Sequence, residues 1–216
     1  AGPDPYRYIA SGVFNIPITK ITSGQRFLGK TCKLALDYQA GWVRFAHTLR
    51  IGAFGPPIEI TDTLARDIHT AYRATIPMIV RGWKRINNLF QSAFAGKQRL
   101  EDKCLAYEGV GNTMWTHLPN GMAIRYDDVR YDREQGNLSY ISEYRRNGVK
   151  PPTILRTRLY GGICCENNCQ SLANVVITEH FVAVLDEVKQ AQLVMQTHDE
   201  GVFIVPERYG TKLLAA

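Results

Sequence analysis

The sequence predicts an α+β fold: helices first, a strand-rich antiparallel stretch in the middle, then a long helix and a hairpin. Three observations predict it. Apolar residues recur at helical spacing through residues 1–97. The pattern changes over 98–159, where CLAYEG, TMWTHL, MAIRYDDV, LSYISEY and TILRTRLY read as short strands separated by turn residues. Over 160–216 a helical stretch leads into two short apolar runs on either side of His198-Asp199-Glu200. These three stretches are the expected divisions of the chain.

Taken in order, PDPYRYIASGVF (3–14) begins as a turn and runs into a short helix. Thr22 and Ser23 are plausible caps for a helix over 23–40. GWVRFAHTLRIG (41–52) continues as a second short helix, broken at Gly55-Pro56-Pro57. Thr61 caps a helix to Thr75, with Leu64, Ile68, Ala71 and Tyr72 on its apolar stripe. Pro77 opens the next helix, which runs from Met78 to about Phe94 and turns Ile79, Trp83, Ile86 and Phe90 inward.

Among the strands, Asn120-Gly121 signals a hairpin, and Trp115 and Tyr126 are expected to pack across strands. The helix from about Cys165 to Lys189 is expected to bury Leu172, Val176, His180, Val184 and Val188. Leu193–Met195 and Val202–Val205 suit buried strands joined by the turn His198-Asp199-Glu200.

The 216 residues suffice for one large domain or two small ones, and a hydrophobic content of 45% suits a globular chain. No apolar run approaches the roughly 20 residues of a membrane span, so no membrane partner is expected. The N-terminus AGPDPYRYIA lacks the basic and apolar regions of a signal peptide. Five cysteines follow no zinc-finger spacing, and reduced thiols in a cytoplasmic setting are the expectation. No internal repeat or low-complexity segment occurs. The net charge of +6 is concentrated locally: Lys20, Arg26, Lys30, Lys33, Arg44 and Arg50 face a single acid, Asp37, between residues 20 and 50. Such a segment points to a polyanion or an anionic ligand.

Two constellations carry chemistry. Arg26, Lys30, Leu34 and Tyr38 stand four residues apart and share one slowly drifting helix face. The two cations fall in the first turns, where free N–H groups already favour anions. His198-Asp199-Glu200 would hold two carboxylates at the tip of a hairpin, a suitable presentation to a hard cation such as magnesium. Asp127, Asp128 and Asp132 read instead as a solvated hairpin tip.

Together these stretches resemble the DNA polymerase I family (family A), in the form phages carry. The fingers helix of that family has Arg, Lys four residues on, an aromatic or Leu four further and Tyr four further still. Its palm carries a His-Asp-Glu hairpin about 160 residues later, and YGGICCENNCQSLANVVITEHFVAVLDEV (160–188) looks like the palm helix before that hairpin. The resemblance implies a helical fingers subdomain followed by part of an antiparallel palm sheet. It covers most of the chain and is looser over 98–152.

The resemblance also implies roles. Arg26 and Lys30 would hold the β- and γ-phosphates of a deoxynucleoside triphosphate, with Lys30 also giving a proton to the departing pyrophosphate. Leu34 would sense the sugar, and Tyr38 would stack by the templating base. His198, Gln170 and an Asn near it, Asn167 or Asn168, would touch the primer end and minor groove. Asp199 would bind Mg2+, with Glu200 supporting the site. The partners implied are a DNA primer-template and nucleotides, in the cytoplasm of a bacterial or phage-infected host cell.

The sequence departs from the family pattern in three places. Gln39 stands where a glycine usually follows the Tyr, and Tyr6 where many relatives have His. The first palm motif, Asp-x-Ser-x-x-Glu, does not occur. The chain is therefore expected to be a fragment or a split subunit that needs a complementary polymerase fragment for its second metal-binding aspartate, and to be nearly inactive alone. The alternative is a non-catalytic nucleic-acid-binding polymerase relic. Single-subunit RNA polymerases share the helix logic but usually lack the Glu after the hairpin Asp. No Tyr-x-Asp-Asp of reverse transcriptases is present.

Overall fold

A computed structural model describes residues 2, 4–134, 136–144, 153–197 and 200–215. The fold is α+β. Five helices come first: α1 (Pro5–Phe14), α2 (Ser23–Leu36), α3 (Trp42–Arg50), α4 (Asp62–Thr75) and α5 (Pro77–Gly96). Six strands follow: β1 (Arg99–Asp102), β2 (Leu105–Val110), β3 (Thr113–His117), β4 (Ala123–Asp132), β5 (Asn137–Tyr144) and β6 (Thr153–Leu159). The chain then forms α6 (Gly161–Glu187), the hairpin β7 (Gln192–Thr197) and β8 (Glu200–Ile204), and α7 (Gly210–Ala215). No described helix is long and apolar enough to cross a membrane.

Local chemistry fixes the helix starts. Asp4 Oδ1 accepts from the backbone N–H of Tyr6 at 2.9 Å and of Arg7 at 3.2 Å, and Pro5 fills the first position of α1, where no N–H is needed. Thr22 and Gln25 form a reciprocal capping box at α2. Thr61 Oγ1 accepts from Leu64 N at the start of α4.

Two cores share α5. Its N-terminal half puts Trp83 among Cys32, Leu36, Phe45, Ile68 and Tyr72 of the helical half. Its C-terminal half puts Phe90 and Ala93 against the sheet and α6, where Phe90 meets the rings of Tyr107 and Tyr126 at 5.0 and 5.6 Å. Trp83 and Phe90 are about 99% buried, and burial of such an apolar side chain is worth about 1.5–3 kcal/mol.

The six strands form an antiparallel meander in sequence order, and β7 and β8 form a separate two-stranded sheet. The β3–β4 connection turns at Asn120-Gly121, where Gly121 N donates to Leu118 O at 3.1 Å. β1 was not legible as a strand, because RLED has no apolar alternation; it is an edge strand paired only with β2.

Several expected packing positions are corrected. Trp115 and Tyr126 do not pack together. Met114 pairs with Tyr126 and Trp115 with Arg125, so neighbours on β3 face opposite ways. Trp115 lies under the Arg125 guanidinium at 5.3 Å, and Tyr126 enters the core. Leu64 and Ile79, each in the first turn of its helix, are exposed, while Ile68 and Tyr72 of α4 and Trp83 and Phe90 of α5 are buried as expected. On α6 the buried side is Gly161, Gly162, Cys164, Asn168, Val175 and Phe181, while Val176 and His180 are exposed.

The strands of the terminal hairpin are not buried. Leu193, Val194, Met195, Val202 and Ile204 are exposed, and the hairpin touches α6 through Phe203 packed edge-on to Phe181. Asp127 and Asp128 lie within β4 rather than at a hairpin tip, and Asp132 ends that strand opposite Asn137. Asp127 pairs with Arg125 at 2.7 Å, and Asp128 pairs with Arg130 at 2.9 Å and with Arg156 at a β4 bulge.

Candidate functional site

The site is built on α2, which ends at Leu36 rather than at residue 40 as expected, so Tyr38 lies in the turn after the helix. Arg26, Lys30, Leu34 and Tyr38 are all at least partly accessible, and Leu34 is 42% exposed. Gly29, adjacent to this face, lets α1 approach closely; a Cβ there would lie 2.3 Å from Tyr6 O. That contact sets the N-terminus of α1 beside the cations. Arg26 Nε pairs with Asp4 Oδ2 at 2.6 Å, and the Arg26 guanidinium lies 5.2 Å from the centre of the Tyr6 ring. The Arg26 hydrogen bond holds the Asp4 carboxyl below the usual aspartate value. Among the described residues no hydrogen bond or ion pair engages Lys30.

The C-terminal end of α2 docks on α6. Gln39 takes a left-handed backbone, φ +68°, the conformation a glycine would adopt without strain. Its Oε1 accepts the backbone N–H of Gly162 at 2.9 Å. Gly161 and Gly162 permit the contact: a Cβ on Gly161 would lie 1.9 Å from Trp83 O, and one on Gly162 2.4 Å from Tyr38 O. Tyr38 therefore rests against the first turns of α6. Burial raises its phenol pKa, and the nearby Cys169 and Glu166 add to the shift. Asp37 accepts from Lys33 Nζ at 2.7 Å and from Tyr72 Oη, tying the α2 end to α4.

Along α6 the three expected polar residues part company. Asn168 is buried and donates to Tyr107 Oη at 3.1 Å. Asn167 donates to Tyr126 Oη at 3.0 Å and keeps its carbonyl oxygen available. Gln170 donates to Glu166 at 3.3 Å and lines a 410 Å³ cleft between α6 and the β3–β4 turn, with Asn174 and Thr178 farther along the helix.

His198 and Asp199 lie outside the described residues. The strands that bracket them are paired, Thr197 with Glu200, so the connection between β7 and β8 is two residues long. Glu200 is exposed at the first position of β8, a hard oxygen donor of the kind magnesium takes. Among the described residues no group of three or more metal-ligating side chains occurs.

No model of a known protein family matches this chain, and a search of characterised proteins returns no match.

Two participants were missed in the sequence. Asp4 holds Arg26, and its signal was the Asp-Pro pair, a helix-cap signature that also sets a carboxylate at the start of α1. Glu166 adjoins Tyr38 and accepts from Gln170; their four-residue separation on one helix was the available signal.

Proposed function

We propose that this chain supplies the nucleotide-handling helix and part of the catalytic centre of a template-directed DNA polymerase of the DNA polymerase I type. The observation that carries the reading is the α2 face, with two cations and Leu34 at four-residue spacing and Tyr38 in the turn just after the helix, and with Lys30 engaged by no partner among the described residues. The Gln39–Gly162 bond ties this helix to α6, which leads into the β7–β8 hairpin.

In this reading Arg26 exchanges Asp4 for a nucleotide phosphate, and Lys30 binds the neighbouring phosphate and protonates the leaving pyrophosphate oxygen. Leu34 lies against the sugar, and Tyr38 presents its ring beside the templating base. Gln170, Asn167 through its carbonyl oxygen, and His198 face the primer end. Asp199, with Glu200 beside it, would hold magnesium, which supplies Lewis-acid activation of the attacking and leaving oxygens. Contacts to phosphates make binding salt-sensitive and largely independent of sequence.

The test joins binding and synthesis. Calorimetric titration with dATP should show a loss of about tenfold or more in Lys30→Ala, the scale of one charge-assisted contact. Primer extension with Mg2+ should appear when a polypeptide bearing Asp-x-Ser-x-x-Glu is added, and be nearly absent without it. DNA binding with no dATP binding and no rescued extension would replace this reading with a non-catalytic nucleic-acid-binding module.

A further inference from the structure

A second cationic site lies behind α2. Arg73, near the end of α4, is half-buried and makes no ion pair among the described residues. One of its N–H groups donates to Ala40 O at 3.1 Å, and its guanidinium lies 5.1 Å from the Trp83 ring centre. Its Nε is buried with no hydrogen-bond partner, and so is the indole Nε1 of Trp83. A half-buried guanidinium whose Nε is buried without a partner leaves part of its desolvation cost unoffset until something supplies an acceptor. The surroundings do not: burial depresses the Arg73 value, and burial together with the Arg73 charge depresses that of His69.

Arg73 and Trp83 line a 350 Å³ pocket to which α5 adds Arg81 and Lys84. Among the described residues no acidic side chain lines it. Neutral donors do: Asn87, the Tyr160 hydroxyl, and Gln39, whose amide nitrogen remains after its oxygen binds Gly162. A volume of this size lies at the lower end of ligand pockets and exceeds what a lone anion needs. The pocket also continues. Arg81 and Lys84 are shared with a shallow 480 Å³ depression that runs along α5 past Arg85 and Asn88 to Ser92. At 1.5 Å per residue the stretch from Arg81 to Ser92 is roughly 16 Å long, a track for successive phosphates rather than one ion.

We infer that Arg73, Arg81 and Lys84 form a binding site for the phosphodiester backbone of an unpaired nucleic-acid strand, with the strand continuing along α5. The inference rests on the nucleic-acid part of the proposed function and is independent of nucleotide binding by α2. A basic groove that tracks the backbone is the electrostatic part of a single-strand site; Trp83, buried beneath the Arg73 guanidinium, stacks no base and serves as a reporter of occupancy.

The experiment uses the full chain labelled with 5-fluorotryptophan. Its three fluorine resonances (Trp42, Trp83, Trp115) are assigned with Trp42→Phe and Trp115→Phe. Titration with an octathymidylate should shift the Trp83 resonance and leave the other two in place. Arg81→Ala/Lys84→Ala, both at accessible positions, should weaken oligonucleotide binding at least tenfold. It should also flatten the salt dependence by about 1.4 in log–log slope, 0.7 for each lost contact. Lys30→Ala should keep the Trp83 shift although dATP binding is lost, which separates this site from α2. An unmoved Trp83 resonance at saturating oligonucleotide, or undiminished binding by the double variant, overturns the inference while leaving dATP binding to judge the proposed function. A Trp83 shift with inorganic pyrophosphate and none with oligonucleotide overturns the strand assignment.

Discussion

Gln39 holds a strained left-handed backbone and uses the side chain that creates the strain to bind Gly162 at 2.9 Å, joining residues 123 positions apart. The two effects are similar in size: a non-glycine residue in this conformation costs roughly 1–2 kcal/mol, and a hydrogen bond contributes about 0.5–1.5 kcal/mol. Gln39→Gly should therefore leave stability nearly unchanged, whereas Gln39→Ala, which keeps the strain and loses the bond, should lose about 1 kcal/mol. Urea denaturation of the three proteins measures this. Equal stability of the Gly and Ala variants would contradict the compensation.

Asp4 and Arg26 give the helical half a pH dependence at its acid end. Arg26 lowers the folded value of Asp4 below 3.8, so the pair's contribution is complete above that value and disappears as pH falls through the lower folded one. Asp4→Asn keeps the helix cap and removes the charge. The melting temperature of wild type should exceed that of Asp4→Asn near neutral pH, and the two should converge as pH falls through the lowered value of Asp4. The same variant frees Arg26 and should tighten dATP binding at neutral pH.

Asn168 and Tyr107 form a buried polar pair in the second core, and Asn168 Oδ1 has no partner. Tyr107→Phe strands the Asn168 amide and should cost about 1–3 kcal/mol. Asn168→Leu strands the Tyr107 hydroxyl in the same way. The double variant replaces both by apolar groups and should be more stable than the sum of the singles by at least about 0.5 kcal/mol, read from a denaturation double-mutant cycle.

Thiol reactivity should sort the five cysteines. Cys104 and Cys169 are exposed. Burial pushes Cys32 up to about 12, and burial beside Cys169 pushes Cys165 up to about 11. Cys164 is buried and raised as well. Ellman's reagent at about pH 8 should label Cys104 and Cys169 first, because the thiolate is the reacting form. Cys32 and Cys164 should react only when urea unfolds the chain; rapid labelling of either in the native protein would contradict the packing of its core.

The α2 face was readable because its information is local: a cap, a four-residue spacing and two cations sit within seventeen residues of sequence, Thr22 to Tyr38. Side-chain facing was less readable wherever it depends on partners far along the chain. Trp115 and Tyr126 are separated by one step of strand register, which inverts the face. The buried side of α6 follows three successive neighbours, the α2 end, the sheet and the β8 ring of Phe203, so no single stripe describes it. The terminal hairpin misled for a related reason: apolar composition predicts burial only where another layer lies against it, and α6 reaches it chiefly through Phe181. Arg73 gave no signal at all, its isolation from carboxylates being a property of the packed molecule.

The meander has a kinetic consequence. Every strand from β1 to β6 pairs with its neighbour in sequence, so each pairing closes only a short loop, at small entropic cost. Docking of α2 on α6 spans 123 residues and becomes cheap only after the intervening sheet has shortened that span. The basic helix and the helix leading to residues 198–199 are therefore expected to meet late in folding, after the hairpins have formed.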